Sequence, residues 1–291
     1  MKEKHHFLQK KVSLRCGERL LDLTAPVVMG ILNVTPDSFF AGSRASAADA
    51  VATRTHQMLT EGAAIIDVGA CSTRPGAAEV LPKEELRRLC AALEVVRGKF
   101  PQAVASIDTF RAEVVREVAA QFGAVIVNDI SGGQLDKKMF ETVAELGLPY
   151  VLMHMRGTPQ TMQQETTYGD LMGEIVRYLS ERVSALHGMG VCDVVVDPGF
   201  GFAKTTEQNF EVLARLEELN IFELPLLVGF SRKSMVCRTL DVTPANALNG
   251  TTALNMLALA KGANILRVHD VKEAVEAVKL AAAAGALNSY C

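Results

Sequence analysis

The sequence lacks several features that mark particular classes of protein. No apolar run approaches the ~20 residues needed to span a bilayer, and the opening MKEKHHFLQKK has no apolar core of the kind found in a secretory signal. The charge is nearly balanced, with 30 basic and 33 acidic residues and a net charge of -3. The basic excess of a general nucleic-acid binder is therefore missing. We expect a cytoplasmic protein with neither nucleic-acid nor membrane partners.

Cysteine is sparse and has no metal-site spacing. The six cysteines are scattered along 291 residues without a CxxC pair, so neither a zinc site nor a disulfide framework is indicated. Free thiols in a reducing compartment are the simplest interpretation. Hydrophobic residues form 49% of the chain and charged residues 22%, which is typical of a globular protein with a full core.

Short apolar runs recur along the chain and alternate with helical patterns. The runs are nearly continuously apolar, which is typical of strands that are buried on both faces. Between two of them, apolar residues from Leu171 to Leu186 recur every three or four positions, as on one face of a helix. The eight predicted strands are 27–32, 64–68, 103–107, 124–128, 149–153, 193–196, 226–229 and 264–268.

Eight strands alternating with helices predict an α/β protein with a closed parallel barrel, the TIM (β/α)8 fold. The rival fold is a doubly wound open sheet, which normally has a GxGxxG turn after its first strand. This chain has GILNVTPDSF there instead. Residues 1–26 lie outside the eightfold pattern, and Val12 and Leu14 alternate before Gly17, which predicts a short β-hairpin at the barrel bottom. We therefore expect a hairpin extension over 1–26 and one barrel domain over 27–291.

Polar residues follow every predicted strand. In a barrel these strand ends converge on the face that carries active sites. A hydrogen bond to a loop explains any one of them equally well, but a packed barrel has no structural need for polar groups after all eight strands. The residues are Asn33, Thr35, Pro36, Asp37, Asp67 through Arg74, Asp108, Asn128, Asp129, His154, Asp197, Ser231, Arg232, Lys233, Arg267 and His269.

The chemistry of this set is selective. Carboxylates at Asp108 and Asp197, an amide at Asn128 and a cation at Lys233 suit a planar heterocycle whose edge alternates donors and acceptors. Arg267, with His269 nearby, adds positive charge for an anionic group. No Ser-His-Asp arrangement, HExxH motif or cysteine cluster is evident. Covalent catalysis is therefore not indicated.

Eight motifs accompany the predicted strands in order. They are MGILNVTPDSFF (29–40), IIDVGACSTRPGA (65–77), SIDTFRAEV (106–114), VNDISGG (127–133), VLMHMRGTPQTMQ (151–163), VVVDPGFGF (194–202), GFSRKSM (229–235) and ILRVHDV (265–271). With these motifs, the chain from about residue 27 to 285 resembles the dihydropteroate synthases, a family of pterin-binding enzymes in folate biosynthesis.

The resemblance implies a TIM-barrel enzyme that transfers a pterinylmethyl group to an aryl amine. Its substrates would be p-aminobenzoate and 6-hydroxymethyl-7,8-dihydropterin diphosphate, and its products 7,8-dihydropteroate and pyrophosphate. The resemblance also implies Mg²⁺ as cofactor, a homodimer and a target of the sulfonamide drugs.

The resemblance also assigns roles to individual residues. Lys233, Arg267 and Asp108 would be catalytic, and Asn33 would be the metal ligand. The pterin contacts would be Asp108, Asn128, Met153, Asp197, Lys233 and Arg267. The diphosphate contacts would be Asn33, Thr73, Arg267 and His269. The p-aminobenzoate contacts would be Thr73, Arg74, Pro75, Phe202, Ser231 and Lys233.

Some features depart from the family pattern or leave alternatives open. Cys71 stands where the second motif often has glutamate, and the third motif reads DTFR (108–111) rather than DTYK. For His154, a structural role is favoured over contact with substrate. A pterin-binding methyltransferase would share the barrel but has no use for STRPGA, SRK and RVHD together. A catalytically silent pterin-binding protein would not be expected to keep the diphosphate and amine residues.

Overall fold

The computed structural model describes residues 12–35, 44–71 and 80–287. The strands are β1 (Ser13–Cys16), β2 (Arg19–Asp22), β3 (Val27–Asn33), β4 (Ile65–Gly69), β5 (Val104–Asp108), β6 (Ile126–Asp129), β7 (Tyr150–Met153), β8 (Val194–Asp197), β9 (Leu227–Val228) and β10 (Ile265–Val268). The helices are α1 (Arg44–Glu61), α2 (Pro82–Lys99), α3 (Ala112–Phe122), α4 (Met139–Leu146), α5 (Leu171–Gly188), α6 (Thr206–Ala214), α7 (Ser234–Leu240), α8 (Leu248–Ala260) and α9 (Val271–Ala283). Short 3-10 turns cover Met162–Gln164, Leu216–Phe222 and Pro244–Asn246.

Strands β3 to β10 form the predicted parallel barrel. Their hydrogen-bonded order is β8-β7-β6-β5-β4-β3-β10-β9, so neighbours in sequence are neighbours in the sheet and β3 also pairs with β10. An isolated bridge between Val196 and Leu226 joins β8 to β9. Strand β9 is only two residues long, because the N–H of Leu226 donates to the Asn264 side chain at 3.0 Å and Pro225 before it has no N–H to extend the ladder. The TIM-barrel prediction is confirmed.

The N-terminal hairpin covers the barrel bottom, as the sequence predicts. Strands β1 and β2 pair in antiparallel fashion around Gly17, whose positive φ of 63° favours glycine. Leu14 and Leu23 are buried and pack against an apolar layer inside the barrel, to which every barrel strand contributes one side chain. This bottom layer contains Met29, Ile65, Val104, Ile126, Val151, Val195, Leu227 and Ile265.

A second layer lies directly above the bottom layer. Side chains two positions apart on a strand point to the same face, so residues two positions after the bottom layer also face the barrel interior. The second layer comprises Ile31, Asp67, Ser106, Asn128, Met153, Asp197, Gly229 and Arg267. Most of its members are polar. The alternation within each strand therefore places a polar floor at the barrel mouth on an apolar base.

Helices cover the outside of the barrel through apolar stripes. In α5 the predicted stripe is buried, and the Asp170 side chain caps the helix by accepting from the Gly173 N–H at 3.1 Å. Within the described ranges, none of the helices combines the length and the apolar character needed to cross a membrane. The cysteines of these ranges are free thiols: Cys16, Cys71, Cys90, Cys192 and Cys237.

Candidate active site

Arg267 is the centre of a hydrogen-bonded network in the barrel mouth. Its Nε donates to Asp67 Oδ2 at 2.7 Å, and its Nη2 donates to Asp108 Oδ2 at 2.6 Å. Asn128 Nδ2 donates to the same Asp67 oxygen at 3.1 Å. Asp67 is fully buried, whereas the side chains of Asp108 and Arg267 are 13% and 21% exposed. Asp67 thus holds the side chains of Arg267 and Asn128 through one buried oxygen.

Burial controls the charge of this network. Burial raises the pKa of Asp108 to about 7, although the adjacent Arg267 guanidinium lowers it. Burial alone would lower the pKa of Arg267, but the carboxylates of Asp67 and Asp108 together raise it above its usual value. The mouth therefore holds a permanent cation next to a carboxyl group that titrates near neutral pH.

Asp197 and Lys233 are two further charged groups of the mouth, and each affects the pKa of the other. Asp197 is 8% exposed, and its Oδ1 accepts from the backbone N–H of Gly199 at 2.7 Å. Burial raises the pKa of Asp197, and Lys233 opposes that shift. Burial lowers the pKa of Lys233 to about 8, and Asp197 opposes that shift in turn. At neutral pH most Lys233 side chains therefore remain protonated hydrogen-bond donors.

The loop after β8 brings an aromatic ring to Lys233. Lys233 Nζ donates to the Phe200 backbone carbonyl and lies 5.0 Å from the centroid of the Phe202 ring, within the range of a cation–π interaction. Met153 is buried and belongs with Phe202 to a small apolar cluster at the mouth. The structure thus brings together residues that the resemblance assigns to both substrates.

Ser231 and His269 contact each other. Ser231 Oγ lies 2.9 Å from His269 Nδ1, and the backbone N–H of His269 donates to the same Oγ at 3.2 Å. The resemblance assigns Ser231 to p-aminobenzoate and His269 to diphosphate. The structure thus brings together one residue assigned to each of these two groups.

Asn33 ends β3 near Asp108. A Cβ atom built on Gly69 would lie 3.3 Å from Asn33 Oδ1 and 3.7 Å from Asp108 Oδ2, so both oxygens stand above this glycine. Oxygen atoms are the ligands that Mg²⁺ prefers. Within the part of the chain that the structure describes, no three His, Cys, Asp or Glu side chains form a metal cluster. The donor set therefore fits an ion that takes one protein oxygen and otherwise substrate phosphate and water.

The segment that carries STRPGA lies outside the described residues, and with it three predicted contacts: Thr73, Arg74 and Pro75. Beside it, the Arg111 guanidinium binds Glu85, which is 1% exposed, and donates to the Val80 carbonyl at 2.9 Å. Cys71 Sγ lies 3.9 Å from the same guanidinium. Burial, reinforced by Glu85, raises the pKa of the Cys71 thiol to about 12. Cys71 is therefore a neutral thiol and a poor nucleophile at neutral pH.

Two residues of the mouth, Asp67 and Lys204, have no role among the predicted contacts. Asp67 belongs to the polar set predicted at the strand ends, but without a contact assigned to it. Asp67 follows Ile65 by two positions, and this alternation is the signal that could have placed it on the inner face. Lys204 is 3% exposed and contacts His154 Nδ1 at 3.1 Å. Because lysines are almost always exposed, the sequence offers no signal for this one.

Comparison with known proteins gives a consistent result. The chain matches the family described as "Pterin binding enzyme" over residues 29–269. It is 48% identical to the dihydropteroate synthase of Escherichia coli over 263 residues, covering 89% of this chain and 92% of the relative. The Yersinia pestis dihydropteroate synthase solved with a sulfonamide drug superposes with a TM-score of 0.87 at 44% identity, covering 94% and 99% of the chains. The Xanthomonas albilineans dihydropteroate synthase solved with 4-aminobenzoic acid gives 0.87 at 36% identity, covering 96% and 100%.

Proposed function

The chain belongs to the pterin-binding enzyme family and acts as a dihydropteroate synthase, and we propose that its barrel mouth divides the two substrates between the second layer and the loop after β8. The reaction joins p-aminobenzoate to 6-hydroxymethyl-7,8-dihydropterin diphosphate and releases 7,8-dihydropteroate and pyrophosphate. The observation that carries the residue assignment is the convergence of five charged or polar groups at one mouth: Asp108, Asn128, Asp197, Lys233 and Arg267.

The pterin edge would be bound by groups whose hydrogen-bonding direction is already fixed. Asn128 donates to Asp67 through Nδ2, which leaves its Oδ1 as an acceptor for a pterin N–H. Asp197 uses one lone pair of Oδ1 on Gly199 and keeps acceptor capacity for the pterin amino group and the adjacent ring N–H. Lys233 supplies the complementary donor. Because these orientations exist before the substrate binds, little reorganisation accompanies binding.

The diphosphate would lie against the Arg267 guanidinium. Arg267 is held by two carboxylates and cannot lose its charge, and His269, Thr73 and Asn33 complete the assigned set. Mg²⁺, when bound, would neutralise diphosphate charge, with Asn33 Oδ1 as its protein ligand. The guanidinium of Arg267 would stack on the pterin ring while it attracts the leaving anion.

The chemistry needs little proton transfer from the protein. The bond between the pterin methylene carbon and the diphosphate oxygen breaks, the dihydropterin ring delocalises the positive charge, and the amine nitrogen of p-aminobenzoate then forms the new bond and releases a proton. An aromatic amine is already neutral at pH 7, so no strong general base is required. Positioning and fixed charge supply most of the catalysis. Phe202, Ser231 and Lys233, with Arg74 and Pro75, would hold the amine in line.

Pyrophosphate release tests this function directly. We expect release from the pterin diphosphate to require p-aminobenzoate, and one dihydropteroate to form per pyrophosphate. A methyltransferase or a silent pterin-binding protein would bind the pterin and release no pyrophosphate with either mixture. Release without p-aminobenzoate, and without dihydropteroate, would indicate hydrolysis instead.

Sulfonamide inhibition tests the p-aminobenzoate subsite separately. We expect a sulfonamide to raise the apparent KM for p-aminobenzoate without lowering kcat, because the two aryl amines would occupy one place beside Phe202. Inhibition that more p-aminobenzoate cannot overcome would show that the subsite is elsewhere.

The homodimer is a further proposal, supported by helix α8. This helix buries residues such as Leu254 and Ala258 against the barrel, yet its outer side carries Leu257, which is 52% exposed. The neighbouring α9 exposes Leu280 at 64%. A helix that is apolar on both sides is normally covered. Sedimentation should give a dimer, and Leu257→Glu should give monomers, whereas Leu20→Glu on the hairpin should leave the dimer intact.

A cytoplasmic location is also proposed. The free thiols of the described residues suit a reducing compartment. Cell fractionation should place the protein with soluble cytoplasmic markers, and recovery in a membrane or secreted fraction would contradict the proposal.

A further inference from the structure

A lysine buried in the loop after β8 holds that loop from inside. Lys204 is 3% exposed. Its Nζ donates to the Gly199 carbonyl at 3.0 Å and to the Phe202 carbonyl at 3.1 Å, and it lies 3.1 Å from His154 Nδ1. An ammonium group has three N–H donors and no acceptor. These three partners therefore use the full capacity of the group.

His154 is suited to be the third acceptor. It is 1% exposed, and burial, with the charge of Lys204, lowers its pKa to about 2. The ring is therefore neutral, and its Nδ1 accepts while Nε2 carries the proton. The backbone N–H of His154 donates to the Asp197 carbonyl at 2.9 Å. Lys204 thus links the loop to the His154 ring, and the backbone of His154 is itself hydrogen-bonded to the end of β8.

The same loop presents groups to the active site. The Phe200 carbonyl accepts from Lys233, and the Phe202 ring lies beside the Lys233 ammonium. The loop also has contacts that do not involve Lys204, because Tyr168 Oη donates to the Ala203 carbonyl at 2.8 Å. Lys204 acts on the part of the loop nearest the substrates.

Stability alone does not account for a buried ammonium at this place. Burial lowers the pKa of Lys204 to about 7, which means that the charged form is disfavoured in the folded protein. An apolar side chain of similar length would fill the space without that cost. The benefit of the charge lies in the direction of its three hydrogen bonds.

We propose that Lys204 and His154 are positioning residues that fix the loop from Gly199 to Phe202, and thereby the p-aminobenzoate end of the active site. This inference rests on the proposed function, because Phe202 is assigned there to p-aminobenzoate. Neither side chain contacts a substrate in this account. Both act through the two carbonyl groups that Lys204 binds.

The first test replaces the ammonium by an apolar side chain of similar length. In Lys204→Met we expect the KM for p-aminobenzoate to rise about tenfold or more, as for loss of hydrogen bonds to a charged group. The KM for the pterin diphosphate should change less, because Asn128 and Arg267 are held by Asp67 and not by this loop, which contacts Asp197 only through the Gly199 N–H. Lys261→Met is the matched control, because Lys261 Nζ also donates to a backbone carbonyl, that of Ala214 at 2.8 Å, and to Glu217. This variant should leave both KM values unchanged.

The second test changes the acceptor instead of the donor. His154→Leu should reproduce the selective rise in the KM for p-aminobenzoate, and His154→Gln, which retains an acceptor oxygen, should restore part of the difference. Equal changes in both KM values, or no change in folded variants, would overturn the proposal. Failure of both Lys204→Met and His154→Leu to fold would also overturn it, because the pair would then be a requirement of the fold. If the wild-type enzyme itself failed to use p-aminobenzoate, the proposed function would be at fault instead.

Discussion

Replacing Asp197 by asparagine should weaken pterin binding while the fold survives. In the wild type, Asp197 Oδ1 accepts from the Gly199 N–H at 2.7 Å. In Asp197→Asn the amide oxygen can keep this contact, which turns the NH2 group towards the pterin edge. Donor would then face donor where an acceptor is needed. A buried, hydrogen-bonded group that loses its partner in this way costs about 2–5 kcal/mol, equivalent to roughly 30- to 4,000-fold in affinity.

The stability of this variant should not fall. Burial raises the pKa of Asp197 in the folded protein, so ionisation at neutral pH opposes folding. A carboxyl group whose pKa is raised by folding stabilises the folded protein at pH values below its ordinary pKa. This contribution is lost as the pH rises through the pKa of the folded state. Asparagine cannot ionise, so the melting temperature at pH 7 should equal or exceed that of the wild type.

Calorimetric titration with a pterin diphosphate analogue, alongside thermal melts, measures both effects. Asp193→Asn is the matched control, because Asp193 precedes the same strand at the barrel bottom, where its Oδ1 accepts from the Arg15 backbone N–H at 2.8 Å. That variant should bind the analogue like the wild type. Unchanged affinity in a well-folded Asp197→Asn protein would refute the proposed pterin orientation.

Three further predictions concern charge and backbone. Affinity for 6-hydroxymethylpterin, which carries no diphosphate, should fall below about pH 7 as Asp108 gains a proton and above about pH 8 as Lys233 loses one. Lys233→Ala should weaken binding and change the alkaline limb, and a limb identical to that of the wild type would exclude Lys233. Glu85→Ala should lower the free energy of unfolding by about 3–5 kcal/mol in denaturant titrations, because it leaves the Arg111 guanidinium without its buried partner. A change below about 1 kcal/mol would contradict this prediction. Gly199→Ala should abolish p-aminobenzoate turnover, because the φ of Gly199 is +71° and a Cβ atom there would lie 2.0 Å from the His154 backbone oxygen. An active variant would show that the loop tolerates displacement.

The sequence predicts most of the barrel because its strands are apolar on both faces. Each of the eight predicted runs overlaps one barrel strand, although five of these strands end one residue later than predicted, and the stripe from Leu171 to Leu186 lies in one helix. Strand β9 is shorter than predicted. The predicted strand covers the four residues 226–229, whereas β9 includes only Leu227 and Val228. Local apolar character does not reveal where a neighbouring strand stops pairing.

The candidate site is predictable in position but less so in its internal contacts. Motifs place Asp108, Asn128 and Asp197 at strand ends, and the structure puts all three at the barrel mouth. Which groups pair there depends on strand register across the barrel. Arg267, Asp67 and Asp108 lie on three different strands and contact each other in the mouth. No spacing along the chain predicts this contact. The burial of Lys204 is equally invisible, because it depends on how one loop folds over its own side chain.

The junction between β8 and β9 has a consequence for how substrates affect stability. A ring opens most easily at its least connected point, and here a single bridge from Val196 to Leu226 joins the two strands. Asp197 lies on one side of that gap and Lys233 on the other. A pterin bound by both residues would connect the two sides of the gap. Substrate binding and closure of the barrel between β8 and β9 would then be thermodynamically linked. Amide hydrogens at β9 should then exchange more slowly when a pterin is bound, while those between β4 and β5, in an unbroken ladder, should change little.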